Sequence, residues 1–470
     1  MDESKDIARS PAYRQREMIA RGELSARELL EACRRRLDEV NPHINAVVTV
    51  SEKAEDEARA LDERQARGEE LGLLHGLVAG IKDVTPVKGL RTTFGCTVYA
   101  DNVPDEDALV VRRLRAAGAV ILGKTNTPEF AAGGNTFNPV FGRTRNPWNL
   151  QRSAGGSTGG GAAALATGII SLAEGTDLGG SLRIPAAFCG VAGLRPSPGL
   201  VPTVPSEYLW DNLQVSGGLG RTFPDIALFL QAAAGPSPEC PIYQPVQGRD
   251  FLGGCLSELP EDLKVAYCAD ISGYGVDEEV EQACRQAALE LRQAGAVVEE
   301  VELDLSFARQ AFIALRGHWM VCHHLRRLGF LGQFGDNLRG NIEAGLEVTT
   351  EELAAAEQAR GHLWRLMGDF LQDYHHLLTP TLAVPPFPVE QNYPETIGGQ
   401  KMKTYIDWLA STFLLSLTSL PVASVPVGPD ANGFPAGLQV VGRPLGEEQV
   451  LCTARHLHDL SSPGLPRLPG

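Results

Sequence analysis

Basic residues are in short supply in this chain. Over 470 residues, 42 Lys and Arg face 58 Asp and Glu, a formal net charge of −16. Binding along a nucleic-acid backbone needs a basic footprint, so nucleic acid is excluded as a main partner. Long apolar runs are missing too. Two stretches lack charge for about twenty residues, 153–173 and 408–429, but the first is rich in Gly, Ala and Ser, and the second carries Pro421, Pro426 and Pro429. Neither reads as a uniform spanning helix, so both are expected in buried core and no membrane partner is expected. The nine cysteines form no C-x-x-C pair and are odd in number. That fits reduced thiols in a cytoplasmic protein, not a disulfide framework. The opening "MDESKDIARSPAYRQRE" is charged and lacks the apolar region of a secretory signal.

What is present suits a soluble globular chain: 43% apolar and 21% charged residues. Ser25-x-x-Glu28 is a capping box ahead of "LLEACRRRLDEV", which puts Leu29, Leu30, Cys33, Leu37 and Val40 on one helix face. "SEKAEDEARALDERQARG" reads as a second helix stopping at Gly68, so residues 1–70 are expected to form a helical arm. Strand and helix then alternate. "LVAGIKDV", "AVILGK", "IISLAEGTD", "LKVAYC" and "AVVEEVEL" read as strands, while "DEDALVVRRLRAAG", "GGGAAALATG" and "DEEVEQACRQAALELRQAG" read as helices. This is α/β grammar, with much of the sheet expected parallel and buried on both faces. Residues 304–374 read as mostly helical, with Thr349-x-x-Glu352 as another capping box, and "LGEEQVLCTARHLHDL" as a final helix. No linker or repeat divides the chain, so one large domain is expected.

The glycine run "AGGSTGGG", residues 154–161, invites two readings. A phosphate-binding loop needs a lysine after its glycines, and none follows. A G-x-S-x-G nucleophile elbow needs a strand before Ser157, and "RNPWNLQRSA" reads as loop. The later histidines His318, His323, His324, His375 and His376 show no H-x-x-x-H or H-E-x-x-H spacing and read as surface or helix-end residues, so no metal is expected. A second glycine-serine element is better placed. In "GTDLGGSLRIPAAFCG", residues 175–190, Gly179 and Gly180 precede Ser181 after a strand. Glycines there let backbone N–H groups approach a substrate, as an oxyanion hole requires. Ser181 needs a base. Lys82, within an apolar strand, is a candidate because burial favours its neutral form. Read from its strand alone, Lys82 is first half of a structural ion pair with Asp83 or another acid.

Taken together, Lys82 in "GIKD", "GGSTGGGAAALATG" and "EGTDLGGSLRIPAAFCGVAGLRPSPG" resemble the amidase signature family. Lys82 and Ser157 are 75 residues apart, and Ser157 and Ser181 are 24 apart, as in that family. "NPHINAVV", "AVILGKTNTPEF", "TRNPWN", "LLTPT", "LPVASVPVG" and "GLQVVGRP" extend the likeness along most of the chain. The resemblance implies an α/β/α sandwich around a mixed, largely parallel twisted sheet, with 71–200 holding the signature core and 201–470 the rest of the sandwich and the pocket loops. It implies Ser181 as nucleophile and Ser157 as a bridging serine with a cis peptide bond to Gly156. Lys82 would be the base, and the N–H groups of Leu178, Gly179, Gly180 and Ser181 the oxyanion hole. Asp177 and Arg183 would brace the loop, against the alternative of a surface salt bridge. Thr158 and Val84 depart from the family, which often has serine and asparagine there. No cofactor is implied.

The implied substrates are amides, some esters and carbamates, handled by a stand-alone monomer or homodimer. One branch instead supplies an amidotransferase subunit working with partner chains. Arg360 loosely matches the residue that binds a substrate carboxylate there, although a solvated Arg is the plainer reading. Tyr208, Trp210, Phe312, Trp319, Phe330, Phe334, Phe387 and Trp408, in variable segments, are expected around the pocket or in ordinary core.

Overall fold

In the computed structural model, which describes residues 7–467, Ser25 caps the first long helix as its sequence predicts. The Ser25 hydroxyl accepts from Glu28 N–H at 3.1 Å, and Ser25 N–H donates to the Glu28 carboxylate at 2.8 Å. Helix α1, Ala26–Ile44, buries Leu29, Leu30, Cys33, Leu37 and Val40 on one face. Helix α2, Ala54–Ala66, ends two residues before Gly68, whose φ of +69° suits glycine. The segment 1–70 also supplies a strand, Val47–Val50, that the sequence hides in "NPHINAVV".

That strand is β1 of an eleven-stranded sheet. The others are β2 Val78–Lys82, β3 Val120–Thr125, β4 Leu172–Asp177, β5 Ala192–Arg195, β6 Val215–Gly220, β7 Lys264–Tyr267, β8 Val297–Glu300, β9 His376–Pro380, β10 Val422–Val427 and β11 Ala436–Val441. Their spatial order is β1-β3-β2-β4-β6-β5-β10-β11-β9-β7-β8. The sheet is mixed, as expected, and its parallel pairing is confined to two blocks, β3-β2-β4 and β9-β7-β8. Between and beside them the pairs β1–β3, β4–β6, β6–β5, β5–β10, β10–β11 and β11–β9 are antiparallel.

Alternation along the strands separates two cores. Val265 and Leu378 enter one hydrophobic cluster, while their neighbours Ala266 and Leu377 enter the other. Helices α1, α2, α3 (Gly159–Ala166), α5 (Phe223–Ala233), α6 (Glu278–Gln293) and α11 (Glu447–Ser461) supply the first cluster. Helices α7 (Arg309–His324), α8 (Asp336–Leu346), α9 (Thr350–Asp373) and α10 (Ala410–Leu417) supply the second. Helix α4, Arg183–Cys189, feeds both, with Ala186 in one and Phe188 in the other. The result is a three-layer α/β/α domain. Helix α3 lies unusually close to the chain beneath it. A methyl on Gly160 would run into the backbone of Asn126 and Ala46, so only glycine fits. Among the described residues, no helix is long and apolar enough to cross a membrane.

Candidate active site

Strands β2 and β4 run side by side in parallel, with Gly80 opposite Ala173 and Ile81 opposite Glu174. Their carboxyl ends therefore open at the same sheet edge, where ligands of α/β proteins gather. Lys82 is the last residue of β2 and is fully buried. Its Nζ donates to Ser157 Oγ at 2.7 Å and to Thr176 Oγ1, on β4, at 3.0 Å. Ser157 lies two residues ahead of α3, is fully buried, and follows a cis Gly156–Ser157 peptide bond. Ser181 lies two residues ahead of α4 and is only partly buried. Thr158 N–H donates to the Ser181 carbonyl at 3.2 Å, tying the two loops together. A short strand, Asn149–Ser153, does precede the glycine run where the sequence reads as loop. It pairs with Arg145–Asn146 in a two-stranded ribbon outside the main sheet.

Burial decides the charge state of Lys82. Desolvation pulls its pKa down to about 7, against the pull of Glu174 and Asp177. The ion pair with Asp83 that the strand alone invites is not made. Asp83 turns instead to Thr93, whose N–H reaches both carboxylate oxygens at 3.2 Å. Glu174, fully buried on β4, accepts the Lys82 backbone N–H at 3.1 Å and the Thr85 hydroxyl at 2.9 Å. A second buried lysine, Lys124 on β3, donates to Thr92 Oγ1 at 3.0 Å and to the Thr85 carbonyl. Desolvation lowers its pKa to about 8. Sequence reasoning missed Glu174, Thr176 and Lys124. Lys124 carried the same signal as Lys82, a lysine inside an apolar strand.

Asp177 and Arg183 are both fully buried, so the surface-bridge alternative falls. Arg183 Nε and Nη2 reach the two Asp177 oxygens at 3.1 and 3.0 Å, and Arg195 lies 3.5 Å from the same carboxylate. The two guanidinium groups hold the Asp177 carboxyl well below the usual carboxylate range, despite its desolvation. Arg183 also donates to the Thr412 carbonyl and to Gln439 and Ser416 side chains, tying the loop to α10 and β11. Asp177 in turn holds the loop backbone. Gly180 N–H donates to its Oδ1 at 2.8 Å and Leu182 N–H to its Oδ2 at 3.2 Å. This corrects the expected set of four oxyanion donors, because the Gly180 N–H is already engaged. The N–H groups of Leu178, Gly179 and Ser181 have no protein acceptor among the described residues.

Leu178, Gly179 and Ser181 line a small inner cavity of about 40 Å³ with Gly156 and Ser157. A larger cavity of about 370 Å³ adjoins it, since Phe130, Ala131, Gln214 and Trp319 line both. Of the aromatics expected there, Phe312 and Trp319 line the inner cavity. Phe387 and Trp408 are instead buried core around Phe188, Trp210 is 68% exposed, and Phe330 is exposed. Missed were Phe130, Met320, Arg316 and Tyr405. Arg360 does not line either cavity. It donates to the Leu417 carbonyl, Asn212 and Ser419, fastening α9 to the turn after α10. Of the histidines read as surface or helix-end residues, His324 does end α7 but is buried beside the outer cavity, and His376 is buried in β9.

The chain matches the family model described as Amidase over residues 28–451. It is 36% identical to an acylamidase of Rhodococcus erythropolis, over 93% of this chain and 92% of that protein. It is 33% identical to a glutamyl-tRNA(Gln) amidotransferase subunit of Moorella thermoacetica, over 94% and 95% respectively. The crystal structure of a bacterial aryl acylamidase of the amidase signature enzymes superposes with a TM-score of 0.89 at 27% identity, covering 97% of this chain and 96% of that one. The spacing of Lys82, Ser157 and Ser181, the sheet that brings them to one edge, and these likenesses agree: this chain belongs to the amidase signature family.

Proposed function

We propose that this chain, an amide hydrolase by family, cleaves its substrate through Ser181, Ser157 and Lys82 by way of an acyl-enzyme. The observation that carries the reading is the 2.7 Å contact from Lys82 Nζ to Ser157 Oγ, in a buried site beside the cavity that Ser181 lines. Ser181 Oγ attacks the carbonyl carbon. Its proton passes to Ser157 Oγ as the Ser157 proton passes to neutral Lys82. The oxyanion is received by the unengaged N–H groups of Leu178, Gly179 and Ser181. The C–N bond then breaks, and the leaving nitrogen takes a proton back from Lys82 through Ser157. Water attacks the ester by the same relay, its proton passing to Lys82. The ester bond to Ser181 breaks and the serine recovers its proton.

Anilides and aliphatic amides are the proposed substrates, with esters and carbamates open to the same attack. A carbamate would release carbon dioxide after the carbamic acid leaves. We place the protein in the cytoplasm as a monomer or homodimer that needs no cofactor. The second reading is an amidotransferase subunit working with partner chains. The 33% identity to such a protein favours it. Arg360, its expected carboxylate-binding residue, is engaged elsewhere, which places it second. The test is purified chain, with no other protein, on a panel of anilides, primary amides, esters and carbamates. Amine release by the isolated chain supports the hydrolase. No turnover alone, with activity restored by co-purified partner chains, would favour the second reading.

A further inference from the structure

Arg316, on α7, lines the catalytic cavity and is 7% exposed. Arginine keeps its charge at any ordinary pH, and a buried cation is unfavourable unless an anion offsets it. Elsewhere near the site that offset is present. Arg183 and Arg195 share Asp177, and Arg309 has Asp407. Arg316 has no carboxylate partner among the described residues. Its partners are neutral: Nη1 donates to Asn341 Oδ1, and Nη2 donates to Tyr405 Oη at 2.6 Å. Its cavity neighbours Phe312, Trp319 and Met320 are apolar.

Tyr405 points the same way independently. Its hydroxyl oxygen accepts from Arg316 Nη2 and from Asn341 Nδ2, at 2.6 and 2.7 Å. Two donors occupy both lone pairs, which leaves the Tyr405 hydrogen to be donated. It finds no acceptor in the protein among the described residues, and Tyr405 lines the cavity. The Asn341 amide is oriented unambiguously, because Arg316 can only donate and so must face its oxygen. Among the described residues, the cavity lining thus presents a cation that has no anionic partner, only the Tyr405 ring at 5.6 Å and neutral acceptors, together with a hydroxyl hydrogen that has no protein acceptor. A carboxylate answers both, with one oxygen for each.

We propose that Arg316 and Tyr405 recognise a carboxylate on the substrate, so that the amide cleaved at Ser181 is an anionic one. This deepens the hydrolase reading and rests on it. Arg316 and Tyr405 line the same small inner cavity as Ser157 and Ser181. The carboxylate therefore sits within a few bonds of the scissile carbonyl.

The experiment compares kcat/KM for matched pairs on the purified chain. On the acyl side the pair is succinanilic acid and its analogue with methyl in place of the carboxylate. On the amine side it is 2-acetamidobenzoate and 2-methylacetanilide. The expected result is a preference for the acid of about tenfold to a hundredfold in one of the pairs, the range for a hydrogen-bonded charge. Arg316→Met brings that preference down to near one, Tyr405→Phe lowers it several-fold, and Arg316→Lys restores part of it. Fluorophosphonate labelling of Ser181 reports whether each variant is folded. If Arg316→Met does not fold, the wild-type ratio decides. Hydrolysis of the methyl analogues with no preference for either acid overturns the inference and leaves the hydrolase intact. A preference that survives in labelled Arg316→Met overturns it too. Failure to hydrolyse any of the four, with no label on Ser181, overturns the hydrolase reading and this inference with it.

Discussion

Lys82 Nζ and Ser157 Oγ are 2.7 Å apart, though 75 residues separate them in the chain. Both side chains are fully buried, away from bulk solvent. A lysine so placed, with its charge disfavoured, can take a proton from the buried serine beside it.

Replacement of the three residues should give three different deficits. Ser181→Ala is expected to abolish turnover and fluorophosphonate labelling together. Lys82→Ala should lower kcat by roughly 10⁴-fold or more, in the manner of a lost base. Ser157→Ala should cost about 10²- to 10⁴-fold, the usual range for proton transfer, because a water can stand in for the hydroxyl. Single-turnover kinetics on an anilide separates these. Full activity in Ser157→Ala would remove the relay from the mechanism.

The pH profile follows from the lowered Lys82 pKa. The base form is needed, so kcat/KM should rise with pH to a plateau above about 7, falling about tenfold per unit below it. Glu174 raises that pKa by its charge, so Glu174→Gln should move the limb to lower pH. A profile flat from acid to neutral pH, or a limb moving upward in Glu174→Gln, contradicts this. Stability carries the same signature. Between about 7 and the ordinary lysine value of 10.5, the unfolded chain holds a proton that folded Lys82 has lost, so this residue's contribution to stability grows as pH rises through that window.

Asp177→Asn should be the most damaging single change near the site that touches no proposed reacting atom. It leaves Arg183 and Arg195 buried without an anion, a loss of about 3–5 kcal/mol for a broken buried pair. Urea denaturation measures it directly. A loss below about 1 kcal/mol, the scale of a surface pair, would mean the pair is solvated.

Gly180→Ala tests the loop geometry alone. Gly180 has φ of +122°, and a methyl there would press on the Thr412 side chain and lie 2.8 Å from Ile184 Cδ1. The loop must move, and displacements of about 1 Å at a reacting centre lower rates by up to about a hundredfold. We expect a slowed rate of fluorophosphonate labelling at Ser181 with the fold retained. An unchanged rate would show that the loop tolerates the shift.

Long periodic elements were legible in the sequence because a single pattern specifies each of them. The Ser25 and Thr349 capping boxes and the α6 stripe of Val280, Cys284, Ala288 and Leu291 are examples. The antiparallel centre of the sheet was not. "AGLR" and "VSGGLG" are short, glycine-bearing and buried throughout, so no alternation marks β5 and β6. The three candidate residues were legible through motif and spacing. Their surroundings were not: Glu174 reaches Lys82 only through strand pairing, and Arg316 reaches the cavity from a helix 135 residues beyond Ser181. Local patterns do not encode such meetings.

The two adjoining cavities share four lining residues and draw the rest from different stretches of chain. Lys82, Ser157 and Ser181 belong to the β2–β4 unit and the two helices that start beside it. Pro202–Ser206 and His323, His324 and Arg327 line the outer cavity and not the inner one. Neither wall supplies a hydrogen bond to Lys82 or to Asp177. The molecule is thus partitioned for re-engineering. Libraries restricted to those wall segments should alter which acyl and amine groups enter, while the chemistry behind them is inherited unchanged.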